Sequence, residues 1–203
     1  MHERRTCGCG NAGVSSCSGV HGRIAPARVL LLLFLAAAVL RAPSPAAGLG
    51  MRQVSSWEPG EERRLYRLFL EVVDGDSVVY RGRHLRFLGV DAPELASPEH
   101  GLYLDQPYGR EAAMYTRRQI KQAREVTCVA DGTDRYGRLL VHLFVDGYPL
   151  SVRIVEAGLG YETVSVFGDN GFPEIAAMIL RAAKLHPALP FENPYYWRRR
   201  HRR

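Results

Sequence analysis

Between Val73 and Glu94 the chain turns back on itself in a way that admits few folds. Val78–Tyr80 and Leu85–Val90 are short apolar runs separated by Arg81-Gly82, the length and composition of a two-residue hairpin turn. Such a turn fixes the ladder. Facing residues then have numbers that sum to 163, so Arg86 faces Ser77 and Asp76 faces Phe87. Asp91 and Glu94 follow the second strand at the end where Asp76 begins the first. The hairpin therefore gathers three carboxylates and the Arg86 guanidinium at one rim.

Carboxylates held together repel, so one takes a proton or a cation sits between them. Oxygen donors suit calcium or magnesium rather than zinc. Asp74-Gly75-Asp76 looks like the start of an EF-hand, but that loop needs an oxygen ligand at its fifth position and Glu at its twelfth. Those places hold Val78 and Leu85, which excludes it. Asp74 reads as a turn residue. Cys7 and Cys9 have no ligand partner at zinc spacing. Cys128 sits in a strand-like run and reads as a buried, inert thiol.

The formal charge of +6 suggests a polyanion partner until it is located. Residues 1–47 carry five Arg and one Glu, and the final seven residues carry five Arg. The stretch 48–197 has 17 basic against 20 acidic residues, so the globular part is slightly acidic. A basic total is then no argument for a basic face. The organisation read from the chain is a leader at 1–47, a linker at 48–64, one domain at 65–186, and an aromatic, then basic, tail at 187–203. Val29–Leu40 is an unbroken apolar run between Arg28 and Arg41, too short to cross a bilayer and of signal-peptide type. Ser44-Pro45-Ala46 offers a cleavage site after Ala46. Export to the periplasm or medium is expected, with an uncleaved anchor at 29–40 as the variant and a cytoplasmic product if translation starts at Met51.

Leu65–Val73 is strand-like, and the hairpin follows. Gly109–Arg124 is a helix candidate with an apolar face of Ala112, Thr116, Ile120 and Ala123. Glu125–Ala130 and Leu139–Val145 read as strands, Val152–Ala157 as a short helix closed by Gly158, and Pro173 as the first residue of a last helix. Five strands interrupted by a helix predict an α+β chain, mainly β: a five-stranded OB-fold barrel with about three packed helices. His84 and His142 read as sheet residues rather than ligands. Tyr195, Tyr196 and Trp197 read as packing on the domain, and the arginines after them as a solvated end that adds salt-dependent attraction to polynucleotide.

Before the last strand lies Asp134-Arg135-Tyr136-Gly137-Arg138, two guanidiniums and a ring able to meet a phosphate and a base. With the hairpin, and with Tyr108-Gly109-Arg110-Glu111-Ala112 and Glu156-Ala157-Gly158-Leu159, the chain resembles the staphylococcal nuclease (thermonuclease) family from about Leu65 to Lys184. That resemblance implies an OB-fold and calcium-dependent hydrolysis of DNA or RNA. It implies one calcium ion on Asp76, Asp91 and the backbone carbonyl of Ala92, where the family often has Thr. It implies Glu94 as the group that orients or deprotonates water, and Arg86 and Arg138 as holders of the scissile phosphate. Arg135, Tyr136 and Tyr161 are the candidate substrate contacts. The family's two nucleotide-side tyrosines fall on Val164 and Val166, so stacking would pass to Tyr136, Tyr161 or Phe167.

The chemistry of these groups agrees. Phosphodiester hydrolysis needs charge neutralisation, which a cation and two guanidiniums supply, and a carboxylate to manage water. A glycosidase would use the carboxylate pair but has no role for the arginines. The expected partner is a DNA or RNA substrate of a monomeric enzyme with no obligate protein partner. The rival is a non-catalytic nucleic-acid-binding OB module.

Overall fold

The computed structural model describes residues 57–202. The apolar run at 29–40, the expected cleavage site and the first three cysteines lie outside the described residues. Among those described, no helix is long and apolar enough to cross a membrane.

In chain order the elements are β1 (Glu62–Leu65), β2 (Leu70–Val72), β3 (Ser77–Tyr80), β4 (Arg83–Phe87), β5 (Val90–Asp91), α1 (Gly109–Gln122), β6 (Val126–Thr133) and β7 (Leu139–Val145). Then come β8 (Tyr148–Pro149), α2 (Leu150–Glu156), β9 (Tyr161–Glu162), α3 (Val164–Phe167), α4 (Pro173–Ala183) and α5 (Pro194–His201). The hairpin register is the expected one: Ser77 faces Arg86, Tyr80 faces Arg83, and the Phe87 N–H donates to the Asp76 carbonyl at 2.9 Å. Arg81 (φ 50°) and Gly82 (φ 80°) are both left-handed, as a type I′ turn requires.

The sheet runs β1-β6-β7-β4-β3-β2. Its two ends, β1 and β2, are consecutive in the chain, separated by a single 3-10 turn at Arg67–Phe69. One bent strand thus pairs with β6 through its first half and with β3 through its second. That curls the sheet into a half-barrel, with β4 and β7 parallel. Counting the bent strand as one gives the five strands of an OB-fold; β5, β8 and β9 are short additions. The first strand begins at Glu62 rather than Leu65, because edge pairing with β6 uses main-chain groups and is indifferent to the polar side chains of Glu62–Arg64.

The core fills the curl. Val78, Leu85, Phe87, Val126, Cys128, Leu139, Val141 and Leu143 come from strands, and Ile120, Leu150, Ile154 and Ile179 from helices. Burial pushes the Cys128 thiol up to about 12, so it is inert. His142 is buried in β7, edge-on to Phe172 at 4.7 Å, with no hydrogen-bond partner for either ring nitrogen. Burial lowers it from 6.5 to about 4. Above pH 6.5 both states are neutral. Between 6.5 and 4 the unfolded chain takes a proton that the folded one refuses, so acid removes up to about 3 kcal/mol of stability. His142→Leu should abolish this part of the acid slope, read from urea midpoints at pH 7, 5 and 4. Parallel slopes for both proteins would refute it.

Candidate active site

The rim of the β3–β4 hairpin is built from the turn upward. Asp74 Oδ1 accepts the Asp76 N–H at 3.0 Å and the Ser77 hydroxyl, which makes Asp74 a turn residue. Burial pushes its carboxyl up against the pull of Arg86. Gly75 lies flat against the rest: a Cβ there would stand 2.6 Å from the Ala92 Cβ and 2.7 Å from that of Ala112. Thr116 of α1 donates its hydroxyl to the Gly75 carbonyl at 2.6 Å. The helix therefore clamps the turn that aims Asp76 inward.

Asp76 is almost fully buried. Its Oδ2 accepts the Ala92 N–H at 2.5 Å, and its Oδ1 pairs with Arg86 Nη1. The other arm of the same guanidinium reaches Asp91 Oδ1 at 2.6 Å and the Val90 carbonyl at 3.3 Å. One arginine thus spans two buried aspartates. Asp91 is held by β5, whose partner across the ladder is Tyr161. Burial would raise the Asp91 carboxyl, but Arg86 and a second arginine win, and it is lowered.

That second arginine is Arg198 of α5. Its Nη2 donates to Asp91 Oδ2 at 2.9 Å and its Nη1 to Asp91 Oδ1 at 3.1 Å and to Glu94 Oε1. Glu94 is raised, because burial and the neighbouring Asp74 and Asp91 outweigh Arg198. The expectation of a solvated arginine tail is thus corrected: residues 194–201 form a helix, and its first arginine points into the carboxylate rim. Nothing local marks Arg198, which is 107 residues from Asp91. The only signal in the sequence was the excess of carboxylates over guanidiniums at the rim.

Arg138 stands just before β7, whose Leu140 faces Arg86 across the parallel ladder. Its charge opposes the rise that burial imposes on the Asp74 carboxyl without reversing it. In this structure it pairs with Asp134, Nε to Oδ2 at 2.8 Å. Asp134 Oδ1 also accepts the Tyr136 and Arg138 N–H groups, so one carboxylate shapes the loop. Tyr136 is exposed, and its hydroxyl accepts from Arg135 at 2.6 Å. Arg135 and Tyr136 thus face solvent at the loop tip. Tyr161 has a local use: its hydroxyl donates to the Phe191 carbonyl at 2.8 Å, and its ring meets Phe191 edge-on. Val166 and Phe167 of α3 are exposed.

The donors converging on the rim are oxygens, and Arg86 shows that Asp76 and Asp91 lie within reach of one cation. Among the described residues no group of three or more acidic, His or Cys side chains is close enough to hold a metal alone. The two aspartates fit a hard cation that completes its shell with carbonyl and water oxygens.

Fold and rim together define an OB-type α+β domain with a mixed carboxylate–guanidinium site. Residues 84–177, a little under half of the chain, match the family model described as Staphylococcal nuclease homologue, and this stretch is similar to that family. The thermonuclease of Staphylococcus intermedius is 28% identical over 97 residues, 45% of this chain and 56% of that protein. The endonuclease YncB of Bacillus subtilis is 30% identical over 105 residues, 48% of each chain. The succinoglycan biosynthesis protein ExoI of Rhizobium meliloti is 32% identical over 91 residues, 43% of this chain and 47% of that protein. The chain spans about half the length of these curated relatives. Arg86, Asp91, Glu94 and Arg138 fall inside the matched segment; Asp76 precedes it and Arg198 follows it.

Proposed function

We propose that the domain is a calcium-dependent nuclease that hydrolyses phosphodiester bonds of DNA or RNA with little sequence preference. The observation that carries this reading is the Arg86 guanidinium shared by buried Asp76 and Asp91, with Glu94 beside them. In it Asp76, Asp91 and the Ala92 carbonyl would hold the cation, which would supply charge neutralisation of the phosphate. Arg86, held at the rim by Asp76 and Asp91, would donate to oxygens of the scissile phosphate. Glu94 orients the attacking water and takes its proton, helped by its raised pKa. Arg138 leaves Asp134 for a second phosphate oxygen, and Arg135 and Tyr136 meet the flanking nucleotide. Export is part of the same proposal, supported by the apolar run at 29–40.

The deciding assay is hydrolysis of DNA and of RNA by the purified chain, with calcium and with chelator. Chelator-sensitive cleavage is expected; absence of cleavage with calcium present would reject the reading. Arg138→Ala should lower kcat about 10²-fold or more while KM moves far less, since its contact strengthens as charge builds. An effect confined to KM would deny Arg138 that role. A second reading, a nucleic-acid-binding module without hydrolysis, is favoured by one observation: both oxygens of Asp91 already accept from Arg198. Binding of the same substrates without turnover would select it.

A further inference from the structure

The rim holds one cation that the reaction just described does not use. Arg198 forks onto both oxygens of Asp91 and also reaches Glu94, so it joins a proposed metal ligand to the proposed base. The helix that carries it is anchored on both sides. Asn193 caps α5 by accepting the Tyr195 N–H at 2.9 Å. Phe191 is buried between the rings of Tyr108 and Tyr161. The buried Gln106 side chain donates to the Glu192 carbonyl at 2.6 Å and accepts the Glu94 N–H at 3.2 Å. Arg202 pairs with Leu102 through the main chain. One amide thus ties the Glu94 backbone to the segment that presents Arg198.

We propose that Arg198 is a positioning residue, the resident counter-cation that orients Asp91 and Glu94 and competes with a divalent cation for Asp91, so that it sets the affinity of the site. The inference rests on the cation-dependent reading above. Among the side chains paired directly there, three carboxylates face two guanidiniums, Arg86 and Arg198. Without Arg198 a divalent cation would meet one more negative charge. Oδ1 of Asp91 already accepts from both Arg86 and Arg198, so a cation that takes that oxygen loosens an N–H···O bond. A buried pair with one acid would be enough to hold a helix down; a guanidinium that also reaches Glu94 keeps both carboxylates oriented while no cation is bound. Only the planar fork of arginine reaches both oxygens of Asp91 in this way.

Calorimetric titration of the full chain with calcium chloride at low salt tests this. Arg198→Met should bind calcium about tenfold or more tightly than the parent. Arg198→Lys, which keeps the charge but loses the fork, should fall between them. Arg199→Met, one residue along and paired with the Tyr195 hydroxyl rather than the rim, should bind as the parent does. Equal or weaker affinity in Arg198→Met overturns the proposal, as does equal tightening in Arg199→Met, which would make the effect one of overall charge. Should circular dichroism show that Arg198→Met does not fold, the lysine variant decides, and parental affinity there is the refuting result. Calcium binding by none of the four proteins would overturn the cation reading of the site, and this inference with it.

Discussion

Glu94→Gln is expected to lower kcat by about 10²–10⁴-fold and leave the fold intact. Glutamine keeps the size and one carbonyl oxygen, but it cannot take a proton from water. The backbone of Glu94 does not depend on its charge: its N–H donates to Gln106, and its carbonyl accepts from the Gln106 N–H at 2.9 Å. Arg198 loses one acceptor and keeps both oxygens of Asp91. A melting curve close to that of the parent with turnover nearly gone is therefore the expected pair of results. Parental turnover in the variant would remove Glu94 from the chemistry.

Arg86→Met should be the most destabilising single change at the site, costing about 3–5 kcal/mol in chelator. Asp91 would retain Arg198, whereas Asp76 would retain only the Ala92 N–H while remaining buried. A buried carboxylate without its cation costs far more than the lost pair ever contributed. If Asp76 and Asp91 hold a metal, added calcium should restore part of that loss through binding to the folded state. Urea unfolding in chelator and in calcium would measure both quantities. A variant as stable as the parent would show that Asp76 is satisfied without Arg86, and loss that calcium does not touch would count against the aspartates as ligands.

How much of this was legible beforehand depends on the distance over which each contact forms. The β3–β4 register follows from two residues, Arg81 and Gly82, because a type I′ turn leaves the ladder no freedom. Helix α1 was legible from the spacing of Ala112, Thr116, Ile120 and Ala123, and α4 from Pro173. Glu62–Arg64 was not legible as a strand, since its side chains are polar and its partner β6 is more than sixty residues away. Tyr161 as a prop for Phe191, and Gln106 as the link between Glu94 and Glu192, carry no local signature at all.

By itself, then, the order of residues determined that acids and one arginine meet at the end of a hairpin, and that their charges demand a counter-ion. Turn stereochemistry and strand alternation act over a few residues and are written there. Which cation answers the demand was decided only in three dimensions. The helix bearing Arg198 closes on Asp91 and Glu94 across about a hundred residues, and the packing of Phe191, Tyr161 and Gln106 that brings it there depends on the whole barrel being formed.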